Sequence, residues 1–221
     1  MPAKPPTTNR TSTWFVGAIA VLAIAAIAFL VFAPNPTAGA QSRAPHATPH
    51  VHLSFGDEVG SGVHVGHGYI LTAAHVAAGT KGTMTLKSSN GGVQSAAVLW
   101  ANKQYDVALL RIEKPALIDA VDLDCAPNYD GQRVVLHGNP LGIEFLSSAG
   151  SIVGEAREIQ PWANVVPVDM TVVPGQSGGA VVDEAGDLVG IAVGVATYNL
   201  GVTGFGFVVP AATICMLLAR A

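Results

Sequence analysis

The chain has 221 residues, half of them apolar and only 12% charged, with 25 glycines, 14 prolines and a formal net charge of −4. A chain this apolar is not disordered, and one this rich in turn-forming residues is not a helical bundle. No run of lysine and arginine offsets the acidic balance, which argues against a nucleic-acid partner.

Residues 1–13 carry Lys4 and Arg10, and they precede "WFVGAIAVLAIAAIAFLVFA" from Trp14 to Ala33. That uncharged stretch is about the twenty residues a helix needs to cross a bilayer, too long for an ordinary buried core helix. With basic residues before it and no acid before Asp57, residues 1–13 are expected in the cytoplasm. Everything after Ala33 is then expected outside the cytoplasm, periplasmic or extracellular. "AGA" at Ala38 to Ala40 has the small-x-small form of a signal-peptidase site, so a secreted domain freed by cleavage is the alternative. Because signal cores run about 7 to 15 residues, a retained membrane helix over 14–33 is the preferred reading.

Residues 34–51 contain four prolines and no apolar periodicity, and read as an extended linker. His46, His50 and His52 cluster here, but no cysteine or carboxylate stands nearby to complete a coordination shell. Neither a metal site nor a cofactor is expected.

From about His52 onward, short runs rich in valine, isoleucine and leucine alternate with glycine, aspartate and asparagine turn signals at intervals near ten residues. This predicts an all-β domain over residues 52–221. About six runs fall before residue 122 and about six after it, which suggests two barrels, about 52–122 and about 128–221, with a cleft between them. Only "PAATICMLLARA" at the end reads as a helix. Cys125 falls in the connection between the barrels and Cys215 in that helix. An even cysteine count in an exported domain invites a disulfide, and two buried thiols fit the sequence equally well.

"PGQSGGAVV", from Pro174 to Val182, sets Ser177 among three glycines at the edge of an apolar run. A serine hydroxyl is a weak nucleophile and needs a base within reach, itself held by a third group. His75 closes "GYILTAAHV", and Asp106 is the lone acid opening "YDVALLRI". Each alone is readily a structural histidine or a turn residue. Occurring together, in the order His, Asp, Ser, they form a candidate catalytic set.

"GSGVHVGHGYILTAAHV", "YDVALLRI", "LHGNPLG" and "VPGQSGGAVVDEAGDLVGI" resemble the landmarks of trypsin-like, chymotrypsin-fold serine proteases. "GNPLG" (Gly138 to Gly142) and "GFGFVVP" (Gly204 to Pro210) resemble the HtrA/Deg branch, and the likeness runs from about Ser54 to Ala212. The resemblance implies two six-stranded antiparallel β-barrels and a short C-terminal helix. It implies that Ser177 attacks the scissile carbonyl, His75 takes its proton, and Asp106 orients the imidazole. The N–H groups of Gly175 and Ser177 would form the oxyanion hole. The pocket for the residue before the scissile bond would have Thr171 at its base and Val193, Gly194 and Val195 along its walls. No acid occupies that base, so aliphatic residues of small to middle size are expected rather than lysine or arginine.

HtrA proteins usually carry a C-terminal PDZ domain, whereas about eleven residues follow Pro210 here, so regulation through such a module is not expected. The loops are short, which leaves homo-oligomer formation open. Gln176 stands where digestive relatives have an aspartate, against activation by a newly cleaved N-terminus. The expected function is a membrane-tethered serine endopeptidase acting on polypeptides outside the cytoplasm. An inert peptide-binding module and an esterase are the alternatives. As a base His75 has to be neutral, so kcat/KM is expected to fall on acidification through about pH 6 to 7.

Overall fold

The structure, a computed structural model, describes residues 50–55, 58–80, 82–115, 118–198 and 201–220. The expected membrane segment 14–33 and the linker up to residue 49 lie outside the described residues. Among those described, no helix is long and apolar enough to cross a membrane.

The first six strands are β1 (His50–Phe55), β2 (Glu58–His64), β3 (Tyr69–Thr72), β4 (Thr83–Ser88), β5 (Val93–Asn102) and β6 (Val107–Ile112). They close into an antiparallel barrel in the order β1-β2-β3-β6-β5-β4. Period-two alternation drives the closure: in β4, Met84 and Leu86 are buried while Thr83 and Thr85 face outward. Met84 and Leu86 meet Val51, Leu53, Ile70 and Leu110 in the barrel interior.

The second half contains β7 (Arg133–Gly138), β8 (Leu146–Ser151), β9 (Arg157–Ile159), β10 (Trp162–Val168), β11 (Ala180–Val182), β12 (Leu188–Tyr198) and β13 (Gly201–Pro210). Here the expectation of a second six-stranded barrel needs correction. Seven strands form one sheet in the order β8-β7-β11-β12-β13-β10-β9. Its flanks β8 and β10 meet at a single bridge between Ile152 and Val168, with β9 attached outside β10. The composition of β8 explains the incomplete closure, because "LSSAGS" has no buried residue and offers little apolar surface to roll the sheet shut.

Another apolar cluster joins the two halves, with Val63, Leu71 and Val107 from the first packing with Ile191, Val193, Phe207 and Val209 from the second. The connector runs across this seam: Leu123 bridges Leu188, and the buried His64 accepts a hydrogen bond from the Gly68 N–H while its other ring nitrogen meets the Ile118 carbonyl at 3.0 Å. The predicted C-terminal helix is present at Ala211–Leu218, with Ile214 and Leu217 buried in the seam cluster. Cys215 on that helix is bonded to Cys125, their Cα atoms 5.9 Å apart, so of the two readings open in the sequence the disulfide is the one realised.

Candidate active site

Each candidate residue is held by a different local device. His75 lies in the one-turn helix Ala74–Ala77 directly after β3, where the buried Ala74 and Ala77 fix its orientation. Asp106 precedes β6 in the left-handed region (φ 57°), a conformation that aspartate tolerates better than most residues. The preceding turn is capped by Asn102, whose side chain accepts from the N–H groups of Gln104 and Tyr105 at 3.0 and 3.2 Å. Ser177 stands in the loop between β10 and β11.

The structure brings His75 and Asp106 into two-point contact. The His75 backbone N–H donates to Asp106 Oδ1 at 2.9 Å, and His75 Nδ1 lies 2.7 Å from Oδ2. A carboxylate only accepts, so Nδ1 carries a proton, and in the neutral ring Nε2 is the nitrogen with the free lone pair. The Trp162 indole N–H donates to the same Oδ2 at 3.0 Å. Burial of Asp106 by itself would raise its pKa. The hydrogen bonds and charge of His75, with the Trp162 N–H, outweigh it and hold the carboxyl below its ordinary value.

Ser177 and His75 line one cleft of about 330 Å3, together with Gly175, Gly194 and Val195. No hydrogen bond joins the Ser177 hydroxyl to the His75 ring; contacts of this kind are often long until substrate tightens them. The remaining wall is aliphatic, from Val59, Val76, Val172 and Val173. Thr171, expected at the base of the specificity pocket, is exposed and lies outside this lining. Val193 faces the adjoining cavity, where it meets His75, Asp106 and Trp162.

The glycines around Ser177 each answer to a steric demand. Gly175 has φ 92°, and a Cβ there would lie 2.2 Å from the Asn139 carbonyl oxygen. Gly178 has φ 80°, and a Cβ there would lie 2.2 Å from Thr72 Oγ1 and 2.3 Å from the Ser61 carbonyl oxygen. The Leu141 N–H donates to the Pro174 carbonyl at 2.7 Å. In a trans peptide the N–H points opposite the C=O, so this bond turns the Gly175 N–H away from Leu141. Among the described residues, neither the Gly175 nor the Ser177 N–H meets a protein acceptor.

Sequence reasoning missed Trp162 and the buried pair Ser61 and Asn139. An indole that reaches Asp106 across 56 positions leaves no local signature. Ser61 and Asn139 do stand inside the quoted motifs "GSG" and "GNPLG", which was the available signal, but their partners are unreadable from spacing.

The trypsin-like peptidase domain family matches residues 60–191, a span that holds His75, Asp106 and Ser177. The chain belongs to the trypsin-like peptidase family. Within it, the chain is 30% identical over 161 residues to a probable periplasmic serine endoprotease DegP-like of Buchnera aphidicola, covering 69% of this chain and 34% of the relative. It is 31% identical over 158 residues to the chloroplastic Protease Do-like 1 of Arabidopsis thaliana, covering 66% of this chain and 35% of that one. It thus spans about a third of the length of these relatives.

Among solved structures, the HtrA-type protease AlgW with tripeptide matches with a TM-score of 0.69 at 26% identity, over 79% of this chain and 60% of that chain. The inactive form of a serine-to-alanine mutant of Rv3671c from M. tuberculosis H37Rv matches with a TM-score of 0.68 at 25% identity, over 85% and 93% of the two chains. The first of these likenesses, with the DegP-like and Do-like relatives, sets this trypsin-like peptidase beside the HtrA-type proteases.

Proposed function

We propose that this chain is a serine endopeptidase in which His75, Asp106 and Ser177 hydrolyse peptide bonds through an acyl-enzyme. The observation that carries this reading is the buried Asp106 carboxylate, bonded at two points to His75 on the wall of a cleft shared with Ser177. Ser177 Oγ attacks the substrate carbonyl while His75 Nε2 takes its proton. Asp106 stays ionised and stabilises the imidazolium, in keeping with its depressed pKa. The negative charge on the carbonyl oxygen is received by the Gly175 and Ser177 N–H groups, each such donor contributing about 2.7 to 4 kcal/mol to the transition state. The imidazolium then protonates the departing amine, and a water, activated in turn by His75, releases the acyl group.

Preference for an aliphatic residue of small to middle size is supported by the valine-rich cleft. Action outside the cytoplasm is supported by the Trp14 to Ala33 segment and by relatives named as periplasmic endoproteases. We place the domain on a membrane tether through that segment, with secretion after cleavage as the alternative.

A fluorophosphonate probe tests the central assignment. Folded protein should be labelled at Ser177, and casein turnover should be lost in Ser177→Ala and in His75→Ala. Absence of label from folded wild-type protein would sink the proposal, and labelling with turnover of small esters but no peptides would favour the esterase.

A further inference from the structure

We infer that Ser61 is a positioning residue for the reaction, holding the loop that presents the Gly175 and Ser177 N–H groups; this rests on the peptidase reading above. Ser61 lies on β2 in the first barrel and is fully buried, 114 positions from the loop it reaches. Its hydroxyl donates to the Gly175 carbonyl at 2.7 Å, and its backbone N–H donates to the Ser177 carbonyl at 2.8 Å. One residue of the first barrel therefore grips the carbonyls of both residues whose N–H groups the peptidase reading assigns to the oxyanion.

The hydroxyl has no alternative orientation. A serine oxygen has one proton to donate and two lone pairs to accept with. The proton goes to Gly175, while the Asn139 backbone N–H and side-chain Nδ2 both donate to the oxygen at 2.9 Å. Asn139 is fixed in its turn, since the other Nδ2 hydrogen is shared between the Val51 and Gly60 carbonyls at 3.2 and 3.3 Å and Oδ1 accepts from the Phe145 N–H at 3.0 Å. Thr72 Oγ1 donates to the Ser61 carbonyl at 2.6 Å, which pins its main chain from the other side.

Gly175 is the residue that needs such a grip. Glycine has wide backbone freedom, so nothing intrinsic keeps φ at 92°. The peptide before it is fixed by the Leu141 N–H on the Pro174 carbonyl, and the peptide after it by the Ser61 hydroxyl on the Gly175 carbonyl and by the Gln176 N–H on the Val173 carbonyl at 3.0 Å. With both flanking peptide planes held, the Gly175 N–H has one direction. Without the hydroxyl, the second plane keeps only its Gln176 contact, ψ of Gly175 loosens, and the aim of the Gly175 N–H relative to that of Ser177 is no longer fixed.

The test uses the full chain as wild type and as Ser61→Ala, with a peptide substrate, a peptide aldehyde whose adduct carries the oxyanion, and a product peptide. The expected result is a kcat lowered about tenfold to a hundredfold, short of the roughly 10²- to 10³-fold cost of deleting a donor outright. Aldehyde affinity should weaken in parallel, while KM and product affinity stay within about threefold. A folded Ser61→Ala protein with kcat and aldehyde affinity near wild type overturns the inference, as does a loss confined to KM. If Ser61→Ala does not fold, the near-isosteric Ser61→Cys, a weaker donor, is expected to move kcat and aldehyde affinity the same way, and unchanged values again overturn it. If wild-type protein neither turns over peptide nor takes a fluorophosphonate label, the peptidase reading has failed instead. The grip is then still read by the Gly175 amide NMR signal, single in wild type and broadened or doubled in Ser61→Ala; an unchanged signal refutes it.

Discussion

Asp106 combines a left-handed backbone, near-complete burial and three hydrogen bonds on its two oxygens. Two of those donors share Oδ2, so the imidazole and the indole compete for one oxygen. Trp162→Phe deletes the indole N–H together with the outer ring atoms that lie over Gly194, so it removes packing as well as the polar contact. A hydrogen bond to a charged group is worth about 1.5 to 3 kcal/mol, and with packing lost beside it the variant should lose at least that much stability in a denaturant titration. The Trp162 N–H is also one of the groups that hold the Asp106 carboxyl below its ordinary value. Its loss should therefore move the titration of that carboxyl up towards the ordinary value, and an unmoved carboxyl signal in an NMR pH titration would remove Trp162 from the site's chemistry. At this scale the sequence was legible where chemistry has a local form. His75, Asp106 and Ser177 each close or open a recognisable apolar run, whereas Trp162 carries no mark of its target because the contact exists only after both halves have packed.

At the scale of elements, the loop from Asp169 to Gly179 is shaped by what presses on it. The Cβ missing from Gly178 would collide with backbone atoms of Ser61 and Ala73 as well as with Thr72 Oγ1, none of which can swing aside. Gly178→Ala should therefore fall among the severe losses, above about 4 kcal/mol, or give no soluble protein. Gly91 is the control, with φ 84° but nothing within 4 Å of an added Cβ. Gly91→Ala should cost only the left-handed strain, about 1 to 2 kcal/mol by thermal denaturation. Similar costs for the two variants would mean that backbone conformation, not crowding, selects glycine beside Ser177. Strand periodicity predicted the first barrel because β4 alternates cleanly. It misjudged the second half because β9 is three residues long and β8 is polar, so neither supplies the alternation that reports pairing.

For the whole molecule, acid is the expected weakness. Burial holds His137 below its ordinary value of 6.5. It does the same at His52, where the charge of Glu144 opposes the shift and that of Lys87 adds to it. A folded-state pKa below the unfolded one means that the unfolded chain binds the proton first, so stability is full above about pH 6.5 and declines as pH falls. Asp106 adds a second loss below about pH 4 by the same sign. The melting temperature should be level from pH 8 to 7 and fall from about 6.5 downward; a flat profile to pH 5 would contradict the histidine contribution.

The bond from Cys125 to Cys215 closes a ring of chain around the entire second sheet, from β7 to β13. A single cut anywhere inside that ring, by the protein itself or by another protease, leaves both fragments tied together. On a non-reducing gel the nicked and intact forms would migrate as one species of unchanged mass, and only thiol treatment would separate the pieces.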